Sequence, residues 1–191
     1  MTDPLAHDAL FIDELRGEAR RYKDFADQAL AQVDDAGFFL TLDAGSNSLA
    51  LIVKHVANNL RSRWTNVYAT DGEKPDRHRD REFELEPADT RQALMTRWDA
   101  GWGCFLETLD RMEPADLART VLIRAEPHTV PRALLRSLAH TASHVGQIVF
   151  LAKHVAGDRW GTLSIPRGQS EQINALMREQ FAAKAAAAKP S

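Results

Sequence analysis

The sequence predicts an all-α fold, a four-helix bundle followed by a short C-terminal helix. Two observations predict it. Apolar residues recur every three or four positions through four long segments, with charged residues between them. Strand-like alternation is scarce, and the segments are separated by stretches rich in Gly, Pro, Asp or mixed charge.

In the first segment Phe11, Leu15, Ala19, Tyr22, Ala26, Ala29 and Val33 mark one helix face, so a helix is expected over 4–33. Gly37 and the stretch TLDAGSNS end it, and Ser46 or Asn47 is the expected N-cap of the second helix, over 47–70. Its stripe is Leu49, Ile52, Val53, Val56, Leu60, Trp64 and Val67. The connection DGEKPDRHRDREFE, residues 71–84, carries ten charged residues in fourteen and one proline. It is long for a compact bundle, and long loops often carry function.

A third helix begins between Pro87 and Asp89, with Leu94, Trp98, Trp102, Phe105, Leu109 and Met112 as its stripe. Gly101 and Gly103 each cost helix stability, which points to close packing or a bend there. In TVLIRAEPHTV, Pro127 and Pro131 are read as excluding a sheet. A fourth helix is expected over 130–156, with Leu134, Leu138, Val145, Val149 and Ala152 inward and Gly157 as stop residue. A short last helix is expected over 170–183. The domain is expected to span 1–183, with 184–191 a disordered Ala/Lys tail. The 41–48, 71–86 and 113–129 connections are each long enough for a crossover, so up-down order is left open.

Composition narrows the function. The 191 residues are 44% apolar and 27% charged, with 24 basic and 27 acidic side chains and a net charge of −3. That balance argues against a basic nucleic-acid binder and against an acidic disordered protein. One cysteine, Cys104, excludes a disulfide framework and a cysteine-based zinc cluster; it falls in the third helix and is read as a buried inert thiol. The first twenty residues are too charged for a signal peptide, and no apolar run approaches the roughly 18 to 20 residues a membrane span needs. A soluble cytoplasmic protein is expected, with no nucleic-acid or membrane partner. P-loop, GxSxG and GxGxxG motifs are absent, and HTASH lacks the glutamate of HExxH.

Three of the seven histidines stand out. His140 and His144 are four apart in the fourth helix, so both leave one face and can take two cis positions on one metal ion. His55 lies midway along the second helix and also flanks its stripe. Three imidazoles from two helices would bind Zn²⁺, Ni²⁺ or Fe²⁺ with open positions for water and substrate. On spacing alone, packed or surface histidines are the favoured reading. His7, His78, His128 and His154 are read as surface or loop residues. Arg61, Arg63, Arg77, Arg79 and Arg81 could hold an anion; neutralisation by Asp71, Glu73, Asp76, Asp80 and Glu82 favours a solvated face. The four tryptophans mostly fall on stripes and are read as core.

The segments NSLALIVKHVANNLRSRWTNVYATDGEKPDRHRDREFE and LAHTASHVGQIVFLAKHVAGDRWGTLSIPRGQSEQIN, about 40% of the chain, resemble the DinB / YfiT-like superfamily of metal-binding four-helix bundles, and within it a branch of uncharacterised bacterial proteins. A single histidine followed much later by HxxxH is that superfamily's metal pattern. The resemblance implies His55, His140 and His144 as ligands. Asn59, one turn beyond His55, and Gln147, three residues beyond His144, would line the cavity or orient a bound water. Relatives include bacillithiol- and mycothiol-dependent transferases and mycothiol- and glutathione-dependent isomerases. The resemblance therefore implies a divalent-metal-dependent thiol S-transferase acting on a small molecule, with Zn or Ni ahead of Fe, and a homodimer. Two rivals stand beside it: a non-catalytic stress-response or interaction module with a structural metal, and a metal-dependent hydrolase. The hydrolase needs a general base, for which Glu82 and Asp71 are the candidates.

Overall fold

Helices dominate the chain, as the apolar periodicity predicts. The computed structural model describes residues 4–187. The long helices are α1 (Pro4–Leu30), α3 (Leu49–Trp64), α4 (Arg91–Arg111), α5 (Val130–Ala156) and α6 (Ser170–Ala187), with a single short turn of helix, α2 (Asp35–Phe39). A two-stranded antiparallel hairpin, β1 (Thr120–Ile123) and β2 (Glu126–Thr129), precedes α5. No helix among the described residues is long and apolar enough to cross a membrane.

The chain divides into two compact units, up to Arg159 and from Trp160 onward. The second contains α6, which continues to Ala187, past the end expected at 183. Residues 184–187 of the expected disordered tail are thus helical, and 188–191 lie outside the described residues.

In the first unit α3 packs on α4 and α5, and α1 packs on the same two helices. Their stripes meet in a core containing Trp64, Trp98, Trp102, Phe105, Leu60, Leu134 and Ile148. Each such side chain contributes about 1.5–3 kcal/mol on burial. Two of these indoles keep a polar partner: Trp98 Nε1 donates to Asp27 Oδ1 at 2.8 Å and Trp64 Nε1 to Ser137 Oγ at 3.0 Å, whereas Trp102 Nε1 is buried without one among the described residues. Gly101 marks a close helix–helix approach; a Cβ there would lie 2.9 Å from Ala57 Cα on α3. Gly103 has open space around it. Cys104 is half-buried, not fully buried as expected, and accepts from Thr65 Oγ1 at 3.7 Å.

Helix ends depart from the sequence expectation where caps decide them. Ser48, not Ser46 or Asn47, caps α3 by accepting from Leu51 N. Thr90 caps α4, so that helix begins after Pro87 and Asp89. α1 stops at Leu30, where Arg91 donates to the carbonyls of Leu30 and Val33 at 2.8 and 2.7 Å and so engages acceptors at the helix end.

The hairpin overturns the reading of 120–129 as too proline-bound for a sheet. Ile123 pairs with Glu126 next to the two-residue turn, so the following pair, Leu122 with Pro127, is a non-hydrogen-bonded one. Pro127 therefore needs no N–H there. The outward Leu122 carbonyl instead accepts from Gly72 N at 2.8 Å. Arg124 and Ala125 both have positive φ, 56° and 62°, as the tight hairpin turn demands. No glycine supplies this. Asp71 holds it, accepting from Arg124 N at 2.8 Å and Ala125 N at 2.7 Å.

Replacing Gly101 by Ala should lower stability in urea unfolding by about 1–3 kcal/mol, because the methyl meets the α3 backbone. Gly103→Ala should be neutral or gain up to about 1 kcal/mol, because only helix propensity changes there.

Candidate metal centre

His55 projects from the middle of α3 and is buried; His140 and His144 project from one face of α5 and are half-buried. The packing of α3 on α5 brings the three together. His140 Nε2 lies 3.2 Å from His55 Nε2 and 3.2 Å from His144 Nε2, and the three nitrogens fall within 4.8 Å of one another. This group can hold a metal ion.

The donor set fits such an ion. His55 Nδ1 lies 2.7 Å from Glu82 Oε2 and donates to it, so its Nε2 carries the lone pair. His144 Nδ1 donates to Gln147 Oε1 at 2.8 Å, with the same consequence. His140 Nε2 thus faces two lone pairs, and a proton on it can serve one of them. With that proton removed, all three lone pairs share a centre. Two nitrogens each about 2.0–2.1 Å from one tetrahedral ion stand about 3.3 Å apart, close to the observed spacing.

Charge and burial keep the ligands neutral. Burial and the neighbouring His144, His55, Arg63 and Arg77 push His140 down to about 4. Burial also lowers His144, aided by His55 and opposed by the Gln147 hydrogen bond. Neutral imidazole is the form a metal needs.

The loop 65–90 supplies what the sequence reading left without a place. Its short 3-10 turn, Arg79–Phe83, delivers Glu82 and Phe83 to His55. The Phe83 ring stacks on His55 at a centroid distance of 4.9 Å. Glu82 accepts from Arg77 Nε at 2.8 Å and Nη2 at 3.0 Å, and Arg77 Nη1 reaches Glu73 at 3.1 Å. Burial raises the Glu82 pKa, but the hydrogen bonds of His55 and Arg77 outweigh it and the net shift is downward. Arg77 and Glu82, with side chains 4% and 3% exposed, are therefore no solvated face, whereas Arg61, Arg79 and Arg81 are exposed. The general-base candidates are both engaged, Glu82 with His55 and Arg77, Asp71 with the hairpin turn.

Of the other residues singled out, Asn59 is buried and lines a cavity with His55 and His140. Gln147 is exposed but touches His144. His7, His78 and His154 are exposed; His128, expected on the surface, is buried in β2 beside Arg136. The sequence signal for Glu82 and Arg77 was only the length and charge of their loop.

Residues 7–169 match the family model described as "Protein of unknown function (DUF1572)". The chain belongs to that family. No curated protein and no solved structure matches the chain. The match spans α1 through α5, with all three histidines and the loop that backs them.

Glu82→Gln should weaken metal binding about 10–100-fold in chelator competition, because the carboxylate that orients His55 is lost. Metal-free protein should lose thermal stability as pH falls from about 6.5 toward about 4. In that window the unfolded chain protonates His140 and the folded chain does not. The slope should be shallower in His140→Asn.

Proposed function

We propose that the protein is a divalent-metal-dependent enzyme with an open three-histidine site, using a low-molecular-weight thiol of the bacillithiol, mycothiol or glutathione kind on a small electrophilic molecule. The observation that carries the metal reading is the convergence of three Nε2 atoms, with both outer rings fixed through their Nδ1 atoms. The thiol chemistry rests on the resemblance of the two histidine-bearing segments to DinB-like proteins. The pairwise packing of α1, α3, α4 and α5 supports the bundle part of that resemblance.

His55, His140 and His144 would hold the ion. An all-imidazole set suits Zn²⁺ and Ni²⁺ ahead of Fe²⁺. Once bound, the metal supplies a Lewis acid that lowers the pKa of a thiol or water at an open position. The chain does the rest. Glu82 fixes the His55 tautomer and raises its basicity, Gln147 does the same for His144, and Phe83 shields the His55 face from water.

The engaged state of Glu82 and Asp71 leaves the hydrolase reading without its base. The non-catalytic module shares the same three histidines and differs only in having no exchangeable position on the metal. The homodimer is part of the proposal, and light scattering at one chain mass would reject it.

Untagged protein should carry close to one metal ion per chain by plasma mass spectrometry, and the His55/His140/His144→Ala variant none. A cobalt-substituted sample should change its visible spectrum on adding a thiol. Metal without any spectral response to thiols or azide would favour the structural-metal module. No metal in wild type after zinc and nickel reconstitution would end the metal reading.

A further inference from the structure

The arginines near the three histidines do not share one role. Arg77 is spent on Glu82 and Glu73. Arg63, two turns beyond His55 along α3, is different. Its Nη1 is buried and has no hydrogen-bond partner among the described residues. A guanidinium donor in that state is unfavourable unless something completes it.

Arg63 opens onto a cavity of about 200 Å³ between α3, α5 and the hairpin. Five arginines line it: Arg63, Arg77, Arg79, Arg124 and Arg136. His55, His140 and Asn59 line the same space, and no carboxylate of the described residues does. Arg124 comes from the hairpin turn, with its Nε 3.4 Å from Glu73, and Arg136 from the second turn of α5, with its Nη1 3.4 Å from His128. Burial, then Arg136, Arg77 and Arg124, lower the Arg63 pKa to about 10, so it remains charged at neutral pH in a field of like charges. The concentration of positive charge is built by tertiary structure. Asp71 pins the turn that presents Arg124, and the α3–α5 contact sets Arg63 near Arg136.

We propose that this cavity is an oxyanion subsite: it takes the carboxylate or phosphate group of a small-molecule substrate, with Arg63 as the central ligand and Arg124 and Arg136 at its sides. Planar guanidinium groups match both oxyanions through paired N–H donors. A volume of this size admits one such group and a few further atoms. The rest of the substrate then lies against His55 and His140. That last placement, beside the reacting centre, rests on the metal-enzyme reading; the anion binding does not.

The test is calorimetric titration of full-length, untagged protein with inorganic phosphate and, separately, with glutarate, each in metal-free and zinc-loaded form. Saturable binding in the millimolar range or tighter is expected in both forms. Arg63→Gln and Arg136→Gln should each weaken it, the first by at least about tenfold. Arg111→Gln, an exposed arginine on α4, should leave it unchanged. Arg136 is exposed and its variant should fold even if the Arg63 variant does not. Tighter phosphate binding assigns a phosphate ester, tighter glutarate binding a carboxylate. Failure of the protein to take up metal, with arginine-dependent anion binding intact, removes the metal reading and leaves the subsite standing. The proposal is overturned if neither anion binds. It is equally overturned if binding, with or without zinc, stays within about twofold of wild type in both arginine variants.

Discussion

The contact on which the candidate site depends is the buried chain Arg77–Glu82–His55. Two charges taken out of water are tolerable only when each is held by the other and by further hydrogen bonds. Here Glu82 receives two donors from Arg77 and one from His55, and Arg77 has Glu73 as its second acceptor. Removing either charge would leave the other buried without its partner. The pair therefore fixes the loop on α3, and the loop fixes the tautomer and tilt of His55. The direction in which the His55 lone pair points is set by residues 22 to 27 positions further along the chain.

The same loop is fastened elsewhere by the same kind of contact. Ser62 Oγ donates to the Gly72 carbonyl at 2.9 Å and accepts from Lys74 N at 3.1 Å. Asp71 organises the hairpin turn. At the far end Lys54, on the helix that carries His55, donates to Asp89 at 2.7 Å and to the Glu84 carbonyl at 2.7 Å, and Arg97 closes on the other Asp89 oxygen at 2.8 Å. Burial raises the Asp89 pKa, and the hydrogen bonds from Lys54 and the Glu86 amide more than offset it. A connection of high charge density is thus ordered by satisfying those charges in pairs. Its net effect is to close one side of the three-histidine group with Phe83 and Glu82, and to leave the other side facing arginines.

That asymmetry explains how one segment supports two chemistries. On one side a carboxylate raises imidazole basicity; on the other, a cavity lined by arginines and by no carboxylate of the described residues favours an anion. The division depends on which arginines find an acid. Arg77 does, because Glu82 and Glu73 lie within five residues on the same loop. Arg63 does not: its Nη1 is buried without a partner among the described residues, and across the cavity it lines the hairpin and α5 contribute Arg124 and Arg136.

The helices, their inward stripes, and the three histidines as a set are legible from the residue order alone. The period of 3.6 residues and the i, i+4 spacing are local properties, legible without knowing what packs on what. Cap positions and the hairpin were less legible. Ser46, Asn47 and Ser48 are near-equivalent caps on paper, and Pro127 is acceptable only in a register that the chain cannot announce locally. The partner of each charge, by contrast, is fixed by how the elements pack. Arg63, Arg77, Glu82, Arg124 and Arg136 look alike as exposed loop and helix charges in one dimension. Pairing is a property of distances across elements, and burial makes those distances decide between a neutralised strut and an open cationic cavity.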